Sequence, residues 1–413
     1  MNQITTQVLV VGAGASGIPA AIAAARMGAK VILVEEDYQI GGAPVDNYVC
    51  MFCGDPMSGI LKECEDLLKE KYAITSTPKF YLPSSFEKAF TQKIINEPNI
   101  TLFTGAKATK VVMDNNKVIG VIINDSLEIR SSITIDATGC AAIAGMAGNN
   151  LMYGTEAESD FNEHVAPKER NNNVQQCTWM YFSQQIDCNA KPLDMMLLDR
   201  KSVMTNEINW YHEDPNKGMQ LKPQLFLHWG CAVECQDTRC PIAIGEAQRA
   251  AMKKMQHDHD LLREFGYTIY MAPKLGIREI TRANCDHIMT LNDIVSGKLP
   301  DDTIAVGTYG IDSWGAKKEM LEVKVEGYGV PYRSLIPNNL DNLLVVGRAI
   351  GGTHIAMSSY RVMPIAGSIG QAGGVAAALC ALNNTKVRNL DHKLLRKELA
   401  GPGQNAILDL DFA

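Results

Sequence analysis

The chain has 413 residues, of which 46% are hydrophobic and 21% charged, and its formal net charge is −7. This balance is typical of a globular protein of about two domains, and it excludes the clustered basic surface on which nucleic-acid binding depends. Eleven cysteines and the lack of a leading export signal predict reduced thiols and a cytoplasmic location. No stretch offers about 20 uninterrupted apolar residues, so no membrane span is expected.

The N-terminal segment has the pattern of a strand, a glycine-rich turn, a helix and a second strand. In such a G-x-G-x-x-G turn, main-chain N–H groups approach a pyrophosphate at the N-terminus of the helix. The second strand, residues 31–34, ends at Glu35, where a carboxylate accepts a ribose hydroxyl, and Glu36 is the alternative. The segment therefore predicts a dinucleotide site, for which the turn supplies Gly12, Gly14, Ala15, Ser16 and Gly17.

The chain after Glu35 departs from the pattern of a nicotinamide dehydrogenase, which continues with another helix and parallel strand. Helical stretches at 60–72 and 84–95 precede strands between 100 and 135, with a hairpin predicted at 114–117. Buried strand patterns return in ITIDATG, 133–139, and in NLLVVGRAIGG, 342–352. We therefore expect a discontinuous nucleotide-binding domain, residues 1–150 and 330–413, around an inserted domain at 151–329.

These segments resemble the FAD-dependent oxidoreductases of the glutathione-reductase-like fold, and within them a broad bacterial family. Besides the first turn, the resemblance is carried by GIREITR (276–282), YGVPYRSLIP (328–337) and the segment 347–379. It implies an α/β fold, in which a Rossmann-like FAD-binding domain carries an inserted mixed α/β cap domain. The first turn would hold the ADP half of FAD. The other cofactor contacts that the resemblance implies are Gly42, Ala43, Ala108, Ala137, Thr138, Gly139, Gly347, Arg348, Ile365, Ala366 and Ile369.

The resemblance also implies a helix that starts near Gly367 and directs its N-terminus at the flavin pyrimidine. The partial positive charge of a helix N-terminus stabilises the reduced flavin and raises its reduction potential. The helix is rich in glycine, which lets main chain approach the ring, and close packing of the helix is the alternative explanation. These glycines are Gly367, Gly370, Gly373 and Gly374.

Three side chains between this strand and this helix are candidate catalytic groups. His354 can exchange a proton near neutral pH, and Arg361 can hold a carboxylate or polarise a carbonyl. Tyr360 adjoins Arg361 and is the third candidate. The alternatives are that His354 caps a loop and that Arg361 pairs with an internal acid.

Arg278 and Arg282 bracket a stretch of alternating apolar and polar residues that we interpret as a strand of the inserted domain. Both guanidinium groups could point into a substrate cleft, and Arg278 is the fourth candidate catalytic residue. Glu279, however, could neutralise one of the two arginines.

The chain departs from the family pattern at two positions. Trp314 in GIDSWG stands where relatives are expected to carry a histidine, so a proton-relay role is not carried over. Cys140 follows Gly139 where relatives often have an acid.

Two cysteine groups and one histidine group invite other interpretations. Cys50 and Cys53 are too far along the chain from Gly41 and Gly42 for the redox disulfide of flavin-dependent disulfide reductases, and we interpret them as buried thiols. The spacing of Cys231, Cys235 and Cys240 matches no familiar zinc or iron–sulfur pattern, which favours a fortuitous cluster and leaves metal binding open. QHDHD at 256–260 is interpreted as a solvated helix end.

The predicted function is hydride transfer between flavin N5 and a small polar or carboxylate-bearing organic substrate. The chain has no second G-x-G-x-x-G segment for a nicotinamide dinucleotide. Electrons would then come from the substrate, from NAD(P)H docking transiently, or from a redox protein. The alternatives are an electron-transfer subunit that relays electrons between protein partners and a flavin-containing scaffold without turnover. The sequence leaves the oligomeric state open.

Overall fold

The computed structural model describes residues 2–73, 80–187, 198, 205–209, 224–315, 320 and 322–410. The strands of this part of the chain are, in order, β1 Asn2–Val11, β2 Val31–Val34, β3 Ile100–Phe103, β4 Ala108–Asp114, β5 Lys117–Ile123, β6 Leu127–Asp136, β7 Cys177–Thr178, β8 Tyr181–Gln185, β9 Thr205–Asn209, β10 Gln224–His228, β11 Ala232–Val233, β12 Tyr267–Met271, β13 Thr303–Gly307, β14 Tyr328–Pro331 and β15 Leu343–Val345.

The α-helices of the same part are α1 Gly17–Arg26, α2 Ala43–Asp46, α3 Gly59–Tyr72, α4 Pro83–Ile95, α5 Ala142–Met146, α6 Glu158–Phe161, α7 Pro241–Glu264, α8 Leu291–Val295, α9 His354–Tyr360, α10 Met363–Asn383 and α11 His392–Ala400. Short 3₁₀ turns lie at Tyr332–Leu335, Gly347–Ala349 and Val387–Asn389.

The main sheet is a parallel core with an antiparallel hairpin attached. Strands β3, β2, β1, β6 and β15 are parallel in that spatial order, and the β4–β5 hairpin joins the N-terminal half of β6. The C-terminal half of β6 pairs with β15 through Thr134–Asp136. Because ligands of parallel α/β sheets bind beyond the carboxyl ends of the strands, the predicted cofactor residues after β1, β2, β6 and β15 meet at one edge. The α/β fold class is confirmed.

Helix α10 is the central helix of this domain and packs against α1. It is buried over Met363–Cys380, because its small residues allow close contact. A Cβ atom at Gly370 would lie 2.0 Å from the Ser16 carbonyl oxygen, and one at Gly374 would lie 2.1 Å from that of Ala20. These two glycines therefore serve helix–helix packing, which was the alternative explanation.

The start of α10 differs from the prediction. The helix begins at Met363 rather than near Gly367, with Pro364 in its first turn, where a missing N–H is tolerated. By length and composition alone, α10 could cross a membrane, since its most apolar part has a mean hydropathy of 1.6. However, 89% of that apolar part is buried inside the protein. Its composition is explained by a core position.

The inserted part of the chain contains an antiparallel sheet in the order β12-β8-β10-β9. Helix α7 covers it, with Ala251, Met255 and Leu262 packed against Tyr181 and Tyr267. Strand β14 spans residue 330 and pairs with β13, so this ladder crosses the predicted boundary between the two domains. The boundaries at 150 and 330 stay a prediction.

Two predictions for the inserted part are corrected. Residues 276–282 form no strand and make only isolated bridges at Gly276 and Arg282, so the alternation of the sequence does not set a common face. QHDHD is not a solvated helix end, because α7 continues to Glu264 and turns His259 toward the sheet. The ring of Tyr181 lies between His228, stacked at 4.4 Å, and His259, edge-on at 4.8 Å.

Candidate functional site

The glycine-rich turn lies directly against the loop that follows β6. Gly12 has a φ of 105°, a conformation that disfavours a side chain. A Cβ atom there would lie 2.5 Å from the Ala137 carbonyl oxygen, and one at Gly17 would lie 1.8 Å from the Gly12 carbonyl oxygen. The packing of the turn therefore requires glycine at both positions.

The carboxylate at the end of β2 belongs to the site through Glu35. Glu35 Oε2 accepts a hydrogen bond from the Ala13 amide at 2.6 Å, and burial raises the pKa of this carboxyl. Glu36 instead faces solvent with its carboxylate 3.4 Å from the Lys107 ammonium. The structure therefore favours Glu35 over Glu36 as the ribose-binding candidate.

The loop 137–139 is held in place by a buried carboxylate that the sequence did not single out. Asp136 Oδ1 accepts from the Thr138 hydroxyl at 2.6 Å, and Oδ2 accepts from the amides of Ile143 and Ala144 at 2.8 and 3.0 Å. Burial raises the pKa of Asp136 although these donors oppose the shift. This side chain ties the end of β6 to α5 and so positions Thr138 and Gly139.

Arg348 is a half-buried residue whose guanidinium contacts carbonyl groups. Its Nε donates to the Gly139 carbonyl at 2.9 Å and its Nη1 to the Ile277 carbonyl at 2.6 Å. Burial lowers its pKa, and no carboxylate of the described residues lies within ion-pair distance of it. A buried cation without a negative partner suits an anion, so the residues here fit the pyrophosphate of FAD.

The remaining predicted cofactor residues fall into two groups. Gly42 begins α2 with a φ of 63°, and a Cβ atom there would lie 3.0 Å from the Gly14 Cα atom. Ala43 is the first residue of α2 and Ala108 the first of β4, and Gly347 packs on the Ser16 side chain. These positions all lie near the turn or the sheet edge.

The predicted contacts in α10 are less accessible. The side chains of Ile365 and Ile369 are fully buried, and Ala366 is 5% exposed, so these side chains belong to the core. In the first turn of a helix, however, the N–H groups have no intrahelical acceptor. Main chain near Ile365 is therefore the part of α10 that is free to donate to a cofactor.

His354 begins α9 and is anchored at both imidazole nitrogens. Its Nδ1 lies 2.7 Å from Glu279 Oε2, and its Nε2 lies 3.0 Å from Ser313 Oγ. Its main-chain amide donates to Glu156 Oε2 at 2.8 Å. Because a carboxylate only accepts, Nδ1 carries the proton of the bond to Glu279. The imidazole is therefore oriented, rather than serving as a loop cap.

Arg282 is the arginine that Glu279 neutralises. It is 1% exposed, and it pairs with Glu279 Oε1 and, at 2.7 Å, with Glu156 Oε1. Burial acts to raise the pKa of Glu279, but the charges of His354 and Arg282 outweigh it and hold the pKa below its ordinary value. We refer to Arg282, Glu279, Glu156 and His354 as the carboxylate network.

Arg278 and Arg361 have quite different surroundings. Arg361 Nη2 donates to Asp312 Oδ2 at 2.9 Å and to the Asp312 carbonyl at 2.8 Å. Arg278 donates to the Gln176 carbonyl at 2.9 Å, and its guanidinium lies 4.0 Å above the Trp314 ring. Burial, together with the charge of Arg361, lowers the pKa of Arg278 to about 9. Arg361 thus pairs with an internal acid, as the alternative held, but through one nitrogen only.

Tyr360 does not meet the expectation of a catalytic group. It is fully buried, and its hydroxyl donates to the Ile350 carbonyl at 3.4 Å. Burial also raises its pKa well above the ordinary value. Although Tyr360 adjoins Arg361 in the sequence, α9 turns it into the core, and the prediction that it acts on substrate is not retained.

The cysteines are free thiols throughout the described residues. Burial raises the pKa of Cys50 and of Cys53, but the interpretation of CMFC as buried thiols holds for Cys50 only, because Cys53 is partly exposed. Cys231 is buried with its thiol 3.4 Å from the Ala251 carbonyl, while Cys235 and Cys240 are partly exposed. The described part of the chain contains no group of three or more His, Cys, Asp or Glu residues that could hold a metal.

The sequence profile of a family described as FAD dependent oxidoreductase matches residues 7–399. The thiamine thiazole synthase of Pyrococcus horikoshii is 28% identical over 158 residues, which cover 34% of this chain and 60% of that protein. The tRNA uridine 5-carboxymethylaminomethyl modification enzyme MnmG of Buchnera aphidicola is 26% identical over 165 residues, or 35% of this chain and 25% of that protein. The match therefore spans less than two thirds of either relative.

Among solved structures, a geranylgeranyl bacteriochlorophyll reductase-like protein from Thermoplasma acidophilum covers 96% of this chain and 83% of its own. It is 13% identical, with a TM-score of 0.45.

Proposed function

Because the chain belongs to the family of FAD-dependent oxidoreductases, we propose that it transfers a hydride between flavin N5 and a small polar or carboxylate-bearing organic substrate. One observation supports this most directly: His354 and Arg361 both contact the loop 308–315, through Ser313 and Asp312. A proton-exchanging group and an anion-binding group thus meet on one loop. FAD, when bound, supplies the hydride chemistry, and the protein supplies orientation and electrostatics.

The residues that would hold FAD are those that meet at the carboxyl edge of the main sheet. The main chain of the turn 12–17 and the guanidinium of Arg348 suit the pyrophosphate. Glu35 suits the adenosine ribose. The N-terminus of α10 suits the flavin pyrimidine, because its partial positive charge favours the reduced ring.

His354 would exchange the substrate proton at Nε2. Its Nδ1 is committed to Glu279 at 2.7 Å, and a carboxylate in this position fixes the orientation and the tautomer of an imidazole. Ser313, at 3.0 Å from Nε2, is the first hydroxyl that the proton can reach. Arg361 would orient the substrate by pairing with its carboxylate or carbonyl oxygen.

The electron source, the location of the protein and its partners extend this proposal. We expect NAD(P)H docking transiently, or a redox protein, to exchange electrons with the flavin, and a cytoplasmic location. The electron-transfer subunit, which we predicted as the alternative, would gain support from iron bound at Cys231, Cys235 and Cys240.

An anaerobic reaction tests the proposal. The FAD-loaded protein is first titrated with NADH and NADPH, and then photoreduced and mixed with a panel of enoates and 2-oxo acids while flavin absorbance is followed. We expect one acceptor class to reoxidise the flavin, and His354→Asn to slow that step about 10²- to 10⁴-fold, the usual contribution of a positioned acid–base group. FAD content should not change.

His287→Asn is the matched control, because His287 also pairs with a carboxylate, Asp293 at 3.4 Å, but contacts none of the site residues named above. It should reoxidise at the wild-type rate. If His354→Asn reacts as fast as wild type with the responsive acceptor, the proton role of His354 is wrong. If no small acceptor responds but a redox protein does, the electron-transfer alternative replaces the proposal.

A further inference from the structure

We propose that Arg278 and Arg361 form one binding site for a single carboxylate of the substrate, and that Asp312 is the internal counter-ion which this carboxylate displaces. The inference rests on the proposed function, because the carboxylate belongs to the molecule that exchanges the hydride. It goes further in naming the charge of that molecule, the second arginine and the group that gives way.

The two guanidinium groups have unused hydrogen-bonding capacity. Arg361 uses Nη2 for Asp312, while its Nε is buried and has no hydrogen-bond partner among the described residues. Arg278 donates from Nη1 to one carbonyl, and no carboxylate of the described chain lies within ion-pair distance of it. Arginine binds carboxylates most strongly through two parallel N–H groups, a geometry that neither residue has here.

Among the residues that the structure describes, the charges next to these two arginines do not balance. Arg278 and Arg361 contribute two positive charges and Asp312 one negative charge. Burial raises the pKa of Cys53, and it raises that of Tyr309 to about 12, so both groups are neutral near pH 7. At least one positive charge of this partly buried cluster is therefore not offset by the described residues, and Arg348 adds its own charge within electrostatic range of Arg361; a desolvated charge without a partner is costly. An anion bound between Arg278 and Arg361, in addition to the pyrophosphate that Arg348 fits, would offset this charge.

The form of the anion follows from what already lies there. The internal partner of Arg361 is a carboxylate, held through one oxygen at 2.9 Å, and the Asp312 side chain is 38% exposed. Asp312 can therefore move toward solvent when another carboxylate arrives. We therefore assign the site to a carboxylate.

Trp314 provides the means to observe binding. Its ring lies 4.0 Å from the Arg278 guanidinium. An anion that binds to Arg278 therefore changes the electrostatic surroundings of the indole. The FAD-loaded protein is titrated with sodium acetate at constant ionic strength, and tryptophan emission is compared with that of Trp314→Phe. Acetamide serves as the neutral analogue and inorganic phosphate as the competing anion.

We expect a saturable response to acetate that Trp314→Phe lacks and that acetamide does not produce. Arg278→Met and Arg361→Met should each weaken acetate binding at least about tenfold, because each removes one of two charge-assisted partners. Asp312→Asn should strengthen binding severalfold, a gain that misfolding cannot produce. Arg333→Met is the matched control, since Arg333 pairs with Asp302 at 2.9 Å but contacts none of these residues.

Several results would overturn the inference. They are the absence of saturable acetate binding, equal binding of acetamide, tighter binding of phosphate than of acetate, or unchanged affinity in both arginine variants. Weaker binding in Asp312→Asn would remove Asp312 from the role of counter-ion. None of these results depends on turnover, so they are distinguishable from a failure of the proposed function, which is read from flavin reoxidation in His354→Asn.

Discussion

Arg278 and Arg282 lie four positions apart in the sequence and both are largely buried, yet they differ in the negative charges around them. Arg282 is enclosed by two carboxylates, Glu279 and Glu156, and by the Gly154 carbonyl at 2.8 Å. Arg278 has one carbonyl and the face of an indole. In the carboxylate network Arg282 is paired by two internal carboxylates, whereas Asp312 is the one carboxylate of the described residues that pairs with the cluster of Arg278 and Arg361.

These opposite surroundings distinguish a charge that serves the fold from a charge that can bind a ligand. A buried arginine whose carboxylate partners are all internal stabilises the fold, and its charge needs no ligand to offset it. A buried arginine without such partners carries a desolvation cost that a ligand can offset. On this reasoning, variants of the two arginines should affect different properties.

The largest effect on stability is expected for Arg282→Met. The substitution leaves Glu279 and Glu156 buried without their shared cation, so the free energy of unfolding should fall by about 3–5 kcal/mol. Urea denaturation followed by circular dichroism measures this value. A loss below about 1 kcal/mol would show that the carboxylate network does not stabilise the fold. The proposed difference between Arg282 and Arg278 would then be wrong.

A smaller effect is expected for Glu279→Gln, with a dependence on pH. Because the pKa of Glu279 is held below its ordinary value, ionised Glu279 stabilises the fold above the ordinary carboxyl range, and this stabilisation is lost as the pH falls. The variant should lose about 2 kcal/mol at pH 7, and its difference from wild type should shrink as the pH falls through the ordinary carboxyl range and below it.

Glu163→Gln is the matched control for this pH series. Burial raises the pKa of Glu163, so its titration favours the fold at low pH and that contribution is lost as the pH rises. The difference between wild type and this variant should therefore change with pH in the opposite direction. Parallel curves for the two variants would contradict the assigned shifts.

The smallest effect on stability is expected for Arg278→Met. The substitution removes a buried cation and its contact with the Trp314 ring, two contributions that oppose each other. The free energy of unfolding should stay within about 1 kcal/mol of wild type, while acetate affinity falls. A loss as large as that of Arg282→Met would mean that Arg278 also serves the fold.

The first βαβ unit was predictable because local sequence dictates it. Gly12 and Gly17 are required by contacts within the turn and with the loop that follows β6, and Glu35 follows the buried strand β2. Requirements of this kind act between residues close in the sequence, so they appear as a recognisable spacing of glycines, apolar residues and an acid. The family resemblance then supplied the positions of Gly347 and Arg348, far along the chain.

The surroundings of the arginines were not predictable in the same way. Residues 276–282 have the alternation of a strand, but they form no ladder, so the pattern wrongly grouped Arg278 with Arg282. Glu156 and Asp312 approach the site from distant segments, and nothing in their local sequence marks them. Tyr360 failed for a related reason, because the rotation of a short helix decides which side chain faces the core.

The short connection between α9 and α10 has a consequence for substrate choice. Arg361 lies in this connection, two residues before α10 begins at Met363, so its distance from the N-terminus of that helix is nearly fixed by covalent geometry. Arg278 comes from the inserted part of the chain. A carboxylate held by both arginines would therefore lie at a fixed distance from the N-terminus of α10. We expect the distance between the substrate's carboxylate and its reacting carbon to match that separation.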